Sequence, residues 1–445
     1  MPIFTNHSEL AKTFLVARDQ EQAYCEANKI IFERYPSNLK VVGIQKLSSD
    51  DIYSSVNLSF SVGHYADPVG KLGLHHFVEH ILVSRGAYDF ARKQLANLNA
   101  TTSSDSLRVI VQAFFNPEYK HIGMYPVLDE LFVHLSNNLD IEAHFNAERQ
   151  VLEDEYRLMA GDFGTQVNHE LNKILFTAKN PMQFDWATSI SDIANISAND
   201  IRQVFVNELV QNNATISILG VGDQEQTQQI YQYLAGKLKA LPTGKEMSVD
   251  LNSYDLINSN DNKDWQRVPL QIKNQLCNIS FNWICDHQID TPEAIYSGFL
   301  VDFLNGILFR KTRELGFAYD CRFAQQRISP NKRLYQAYIT TSNEHLEQKV
   351  QTFTRILTEL LGFQKAIIDE LKQMIDQSQL QLKIMPINRV QMLNYQLDNL
   401  QYYDQLCDFE KQRDFNLSMT LEQALSTAKN FDIATATKII IGDLA

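Results

Sequence analysis

Basic clusters are missing from this 445-residue chain: 40 Lys and Arg face 53 Asp and Glu, and the formal charge of −13 contains no Lys/Arg-rich run. Nucleic acid and anionic membrane surfaces are therefore not expected partners, because both require a positive patch. No apolar run approaches the roughly 20 residues of a membrane span. The opening MPIFTNHSELAKTFLV has neither the basic-then-apolar order of a secretory signal nor the Arg-rich character of a transit peptide. Cysteine is scarce: the five, at 25, 277, 285, 321 and 407, form no Cys-x-x-Cys. Reduced thiols and a cytoplasmic location are the expectation. Gly-x-Gly-x-x-Gly and Walker loops are also absent, so nucleotide chemistry has no foothold.

With 44% apolar and 21% charged residues, the chain can bury cores in two or more domains. Two pairs of segments repeat. Ile218-Leu219-Gly220-Val221-Gly222-Asp223 resembles Ile439-Ile440-Ile441-Gly442-Asp443, an offset of 443 − 223 = 220. Leu58-Ser59-Phe60-Ser61-Val62 resembles Ile279-Ser280-Phe281-Asn282-Trp283, an offset of 279 − 58 = 221. Two unrelated pairs with offsets within one residue of each other imply two homologous halves. A polar, Asn/Asp/Ser-rich stretch separates them. The expected organisation is a domain over 1–240, a linker over 241–266 and a second domain over 267–445.

Alternation predicts strands near 39–46, 54–62, 102–114, 267–285, 317–325 and 334–341. Helical periodicity is clearest at 122–137, 141–160, 293–313, 345–361 and 366–382. This reads as α+β: in each half an antiparallel-rich mixed sheet covered by helices.

The chemistry concentrates in Gly73-Leu74-His75-His76-Phe77-Val78-Glu79-His80-Ile81-Leu82-Val83. On a helix, His76, Glu79 and His80 share one arc, while Leu74, Phe77, Val78, Ile81 and Leu82 cover the other side. Imidazoles one turn apart suit two nitrogens of a tetrahedral metal, and Glu79 between them is placed to accept a proton from water at that metal. With 11 His in the chain, chance would produce His-x-x-Glu-His only about 0.01–0.02 times. His75 lies around 100° from His76 and is expected to be structural.

A third ligand is sought on the helix near 145–159. Phe145, Val151, Leu152, Tyr156, Leu158 and Met159 define its apolar arc, and Glu148 and Glu155 fall inside that arc. Carboxylates on a core-facing stripe require compensation, by a metal or by buried basic groups.

These motifs resemble those of the pitrilysin/insulinase family of zinc metallopeptidases, of the type of the mitochondrial processing peptidase and its bacterial relatives. The family's mark is His-x-x-Glu-His followed some 75 residues later by the glutamate that ends Glu-Arg-x-x-x-x-x-Glu. Here Glu148-Arg149-Gln150-Val151-Leu152-Glu153-Asp154-Glu155 matches, at 155 − 80 = 75 residues. The resemblance implies His76, His80 and Glu155 as ligands of one Zn2+ per chain, Glu79 as general base, and Glu148 as a further carboxylate of the catalytic site. Asn99-Ala100-Thr101-Thr102-Ser103-Ser104-Asp105 is similar to the family's Asn-Ala-x-Thr-Ser-x-Asp. It implies that Asn99, Ala100 and Thr101 form a strand edge that pairs with the substrate backbone. Arg313-Glu314-Leu315-Gly316-Phe317-Ala318-Tyr319 resembles Arg-Glu-x-x-Gly-Leu-x-Tyr with one residue fewer, which implies that Arg313 and Tyr319 hold substrate.

The second half has no metal motif: its equivalent helix reads Ala294-Ile295-Tyr296-Ser297-Gly298-Phe299-Leu300-Val301. The resemblance therefore implies a zinc-bearing first domain and a second that closes a chamber. At this length the chain is half of a clamshell, completed as a homodimer or as a heterodimer with a related chain. The expected activity is zinc-dependent endopeptidase action on small or unfolded peptides. The alternative is a non-catalytic or partner-dependent assembly subunit of the same fold.

Overall fold

Two mixed sheets of corresponding strand order organise the chain. The computed structural model describes residues 14–46, 53–138, 140–177, 186–221, 224–247, 264–270, 275–287, 291–329, 332–385 and 387–444. The first part runs α1 (Glu21–Asn28), β1 (Ile30–Arg34), β2 (Lys40–Lys46), β3 (Ser54–Phe60), α2 (Leu74–Leu82), α3 (Arg85–Lys93), β4 (Ala96–Thr102) and β5 (Leu107–Ala113). It continues through α4 (Met124–Val133), α5 (Ile141–Gly161), α6 (Phe163–Leu175), α7 (Trp186–Ile193), α8 (Ala198–Asn207), β6 (Ala214–Val221) and α9 (Gln224–Leu238). The second part runs β7 (Gln266–Pro269), β8 (Leu276–Cys285), α10 (Pro292–Leu315), β9 (Asp320–Ser329), β10 (Lys332–Ser342), α11 (Leu346–Leu361) and α12 (Lys365–Ile384). It ends with α13 (Arg389–Tyr402), α14 (Phe409–Leu417), α15 (Leu421–Ala428) and β11 (Thr437–Gly442).

The sheets are ordered β1-β2-β6-β3-β5-β4 and β7-β11-β8-β10-β9. Without β1, the first matches the second strand for strand, and each has a single parallel pair in the same place, β2 with β6 and β7 with β11. The repeated segments occupy corresponding strands: Leu58 lies in β3 and Ile279 in β8, Ile218 in β6 and Ile439 in β11. Gly222 and Asp223 lie outside the described residues, as does 248–263 of the expected linker.

Most expected elements are found within a few residues. The strand expected over 102–114 is instead a hairpin, β4 then β5. In β4, buried Ala96, Leu98 and Ala100 alternate with exposed Asn97, Asn99 and Thr101. Small and amide residues of low β-propensity conceal that alternation. The helix expected over 122–137 ends at Val133 and gives way to a π-helical turn over His134–Asn138.

Each sheet also receives a helix from the other part of the chain. Helix α6 packs Val167, Leu171 and Leu175 against Ile328, Leu334, Ile439 and Ile441 of the second sheet. Conversely, α13 sets Met392, Leu393, Leu397 and Leu400 on Val42 and Ile44 of the first sheet. The two helices start 389 − 163 = 226 residues apart, close to the repeat offset. Exchange is required because β2 and β11 carry apolar residues on both faces, and neither face tolerates water. A polar staple lies beside the exchange. Arg327 of β9 pairs with Asp105 of the β4–β5 turn at 3.1 Å and stacks over the Tyr402 ring at 4.3 Å, while the Tyr402 hydroxyl donates to Asp105.

Because α6 is core to a sheet far from it in sequence, Leu171→Ala should cost about 2–5 kcal/mol through the cavity it leaves. Urea unfolding followed by far-UV circular dichroism and by tryptophan fluorescence should give coincident transitions. Two separated transitions would contradict the interlocked packing.

Candidate metal centre

Helix α2 begins at a position only glycine fills well. Gly73 has φ +90°, and a Cβ there would approach the Tyr156 hydroxyl to 2.7 Å. Gly73 has no side chain to cap the helix, and Asp67 does so instead. Its Oδ2 accepts from the Gly73 amide at 2.8 Å and its Oδ1 from the His75 amide at 3.0 Å. Just upstream, Asp192 accepts from the Leu72 amide at 3.0 Å.

His75 is wholly buried, with Nδ1 2.7 Å from Asp67 and Nε2 2.8 Å from Glu208. Burial alone would depress its pKa, but the two carboxylates outweigh it and push the imidazole up to about 9. Burial likewise opposes the Asp67 charge, yet hydrogen bonds from His64 and His75 hold that carboxyl down at about 2. His75 thus ties α2 to its surroundings from behind, the structural part expected of it.

Leu74, Phe77, Val78, Ile81 and Leu82 are buried in the core, which leaves His76, Glu79 and His80 half-buried on the opposite side. The two imidazole rings are 4.9 Å apart. Helix α5 packs across α2 and brings Glu155 to them: Oε2 lies 3.4 Å from His80 Nε2, and Oε1 lies 3.9 Å from His76 Nε2. One ligand atom from each of His76, His80 and Glu155 lies within 4.8 Å of the others. Among the described residues this is the only such cluster of three or more His, Cys, Asp or Glu. A tetrahedral ion with ligands at about 2.0–2.1 Å spaces them roughly 3.3 Å apart, so small side-chain movements suffice and the donor set suits zinc.

The remaining ring nitrogens are also engaged. His76 Nδ1 is 3.1 Å from the Tyr156 hydroxyl, and His80 Nδ1 faces Glu148 at 3.5 Å. For metal binding through Nε2, each Nδ1 carries the proton, and Tyr156 and Glu148 are placed to receive it. Burial, and then the neighbouring His80, hold His76 far below the ordinary imidazole range, which keeps it neutral. For His80, burial acts the same way but is outweighed by Glu155, Glu79 and Glu148, and its pKa rises. The Glu155 carboxyl is lowered, mainly by its hydrogen bond with His80. Glu79 is raised by burial against the opposing Thr102 hydrogen bond.

The apolar arc expected on α5 is narrower in the structure. Leu152 and Tyr156 are buried, but Val151, Leu158 and Met159 are exposed. Packing selects the stripe through Phe145, Leu152 and Tyr156, on which Glu148 and Glu155 also lie. Tyr156 and Thr102 are contacts that sequence reasoning missed. A tyrosine beside Glu155 reads as core, and only the crossing of α2 with α5 shows its hydroxyl at His76.

Asn99, Ala100 and Thr101 lie on β4, the edge strand of the first sheet, bonded on one side to β5. Asn99 and Thr101 are exposed and the Ala100 side chain is buried. Arg313 stands in the last turn of α10 over the Phe309 ring at 5.2 Å, and Tyr319 is 81% exposed just before β9. Among the described residues neither pairs with the His76, His80 and Glu155 trio.

Residues 195–375 match the family described as "Peptidase M16 inactive domain". No curated protein matches the chain in sequence. Among solved structures, a protease from Helicobacter pylori is 15% identical with a TM-score of 0.71, covering 93% of this chain and 99% of that one. A peptidase M16 inactive domain from Pseudomonas fluorescens is 13% identical with a TM-score of 0.72, covering 93% and 97%. The periplasmic protease PqqL from Escherichia coli is 14% identical with a TM-score of 0.72, covering 96% of this chain and 48% of that one. The chain has the M16 peptidase fold.

The raised His75 pKa makes a signed prediction. Its contribution to stability is complete below about pH 6.5 and is lost as pH rises through about 9. For chelator-treated protein, the stability gap between wild type and His75→Gln should shrink across that window. A gap constant from pH 6 to 9.5 in urea titrations would contradict a charged His75 bridging two carboxylates.

Proposed function

We propose that the chain is a zinc-dependent endopeptidase acting on small or unfolded peptides. The observation that carries this reading is the convergence of His76, His80 and Glu155 within 4.8 Å, beside a half-buried Glu79. These three residues would hold one zinc ion, which when bound supplies Lewis acidity to polarise a carbonyl and acidify water.

The chain's own residues account for the rest. Glu79 takes a proton from the attacking water and later delivers it to the leaving amine as the C–N bond breaks. Thr102 orients the Glu79 carboxyl. Tyr156 and Glu148 fix the ring orientations of His76 and His80, so Glu148 supports the catalytic site without touching substrate. The free edge of β4 accepts a substrate strand through the backbone of Asn99, Ala100 and Thr101, with little demand on sequence. Arg313 in the last turn of α10 and Tyr319 just before β9 would hold substrate within the closed chamber. The chain spans about half of PqqL, which supports completion of a chamber by a second copy or a related chain.

A second reading, a non-catalytic or partner-dependent subunit, draws on the matched description of an inactive domain. That match, over 195–375, does not include positions 76–80 or 148–155.

Glu79→Gln should lower peptide hydrolysis by about 10²–10⁴-fold with zinc content unchanged. His80→Ala should lose zinc by elemental analysis. Full activity in the first variant, or full metal content in the second, would reject these roles.

A further inference from the structure

A cavity of about 300 Å³ lies between α6 and one face of the second sheet. Its floor is a patch of register neighbours: Asn278 opposite Thr340, Thr340 opposite Asp320, and Tyr338 opposite Arg322. Its roof is Phe163 and Val167 of α6. From Glu155 to the end of α5 is six residues, about 9 Å of rise, and Phe163 follows two residues later. Phe163 on its roof thus stands eight residues after Glu155 of the trio, 163 − 155 = 8.

The lining is rich in amides and hydroxyls: Asn168, Asn278, Gln326, Gln336, Tyr338 and Thr340. Its two charges, Asp320 and Arg322, offset each other, and the Tyr338 hydroxyl donates to Asp320 at 3.4 Å. Such a surface offers donors and acceptors without a net field that would hold a charged group. Asn278 adds a specific demand. It is 5% exposed, and its Oδ1 accepts no hydrogen bond among the described residues. A buried acceptor left unpaired is costly, and the soft terminal torsion of asparagine lets the amide turn toward an N–H or O–H in the cavity.

We infer that this cavity is a specificity pocket for an uncharged polar side chain (Asn, Gln, Ser or Thr) of a bound peptide. The inference rests on the peptidase reading for its substrate, but not for its chemistry. Phe163 and Val167 pack the stem of the side chain while Asn278 and Gln336 meet its polar end. An aliphatic side chain leaves those amides unpaired and is disfavoured.

The test separates binding from hydrolysis. Saturation-transfer NMR on the metal-free full chain uses two probes, acetyl-Gly-Gln-Asn-Gly-amide and acetyl-Gly-Leu-Leu-Gly-amide. The amide probe should bind about tenfold more tightly, and Asn278→Leu should remove that preference. Gln336→Leu, at a half-buried position, should weaken it and serves if the first variant does not fold. Equal binding of the two probes, or a preference unchanged in both variants, would overturn the pocket. With zinc-loaded protein and a casein digest, bonds cut by wild type should be enriched for Asn, Gln, Ser or Thr at one fixed position relative to the cut, and Asn278→Leu should abolish the enrichment. An enrichment that survives in Asn278→Leu also counts against the pocket. Probe discrimination without any cleavage would uphold the pocket and reject the peptidase reading.

Discussion

Tyr156 is wedged where α5 crosses α2: its ring is buried against Gly73 and its hydroxyl meets His76. That crossing brings two imidazoles from one helix and a carboxylate from another into a single coordination volume, although 75 residues separate His80 from Glu155. Its geometry depends on an absent side chain at Gly73 and on the Asp67 and His75 network, which anchors the start of α2 from behind. Loosening any of these would change the spacing of the three side chains, on which the candidate site depends.

The same logic extends to the whole chain. Each sheet has an apolar region covered by a helix from the other part, and a more polar region toward its edge strand, β4 or β9. Exchange of α6 and α13 makes the two repeats one interlocked unit, and Arg327 with Asp105 and Tyr402 ties the β4–β5 turn into it. The edge that would carry substrate is therefore held by residues from both repeats, and the cavity beneath α6 is likewise built from both. A duplicated architecture with one candidate metal site thus gives the other repeat a part in shaping what reaches it.

Sequence reasoning recovered what periodicity and local motifs encode. The long helices and the duplication follow from apolar spacing and a shared offset, and His-x-x-Glu-His places its three polar groups on one face by helix geometry alone. Glu148 and Glu155 were selected by lying on a stripe that also carries Phe145 and Tyr156. What escaped depends on which surface meets which. Val151, Leu158 and Met159 look like core on a helical wheel and are exposed, because α5 packs by a narrower stripe. Strand β4 hid behind asparagines and alanines. The exchange of α6 and α13 has no local signature, since an amphipathic helix does not declare which sheet it covers.

The most direct test of the account is product analysis by mass spectrometry after incubating purified protein with a mixed peptide library, with and without a chelator. Cleavage that the chelator abolishes and added zinc restores is the predicted result. Absence of cleavage by the zinc-loaded protein, or cleavage indifferent to the chelator, would contradict it.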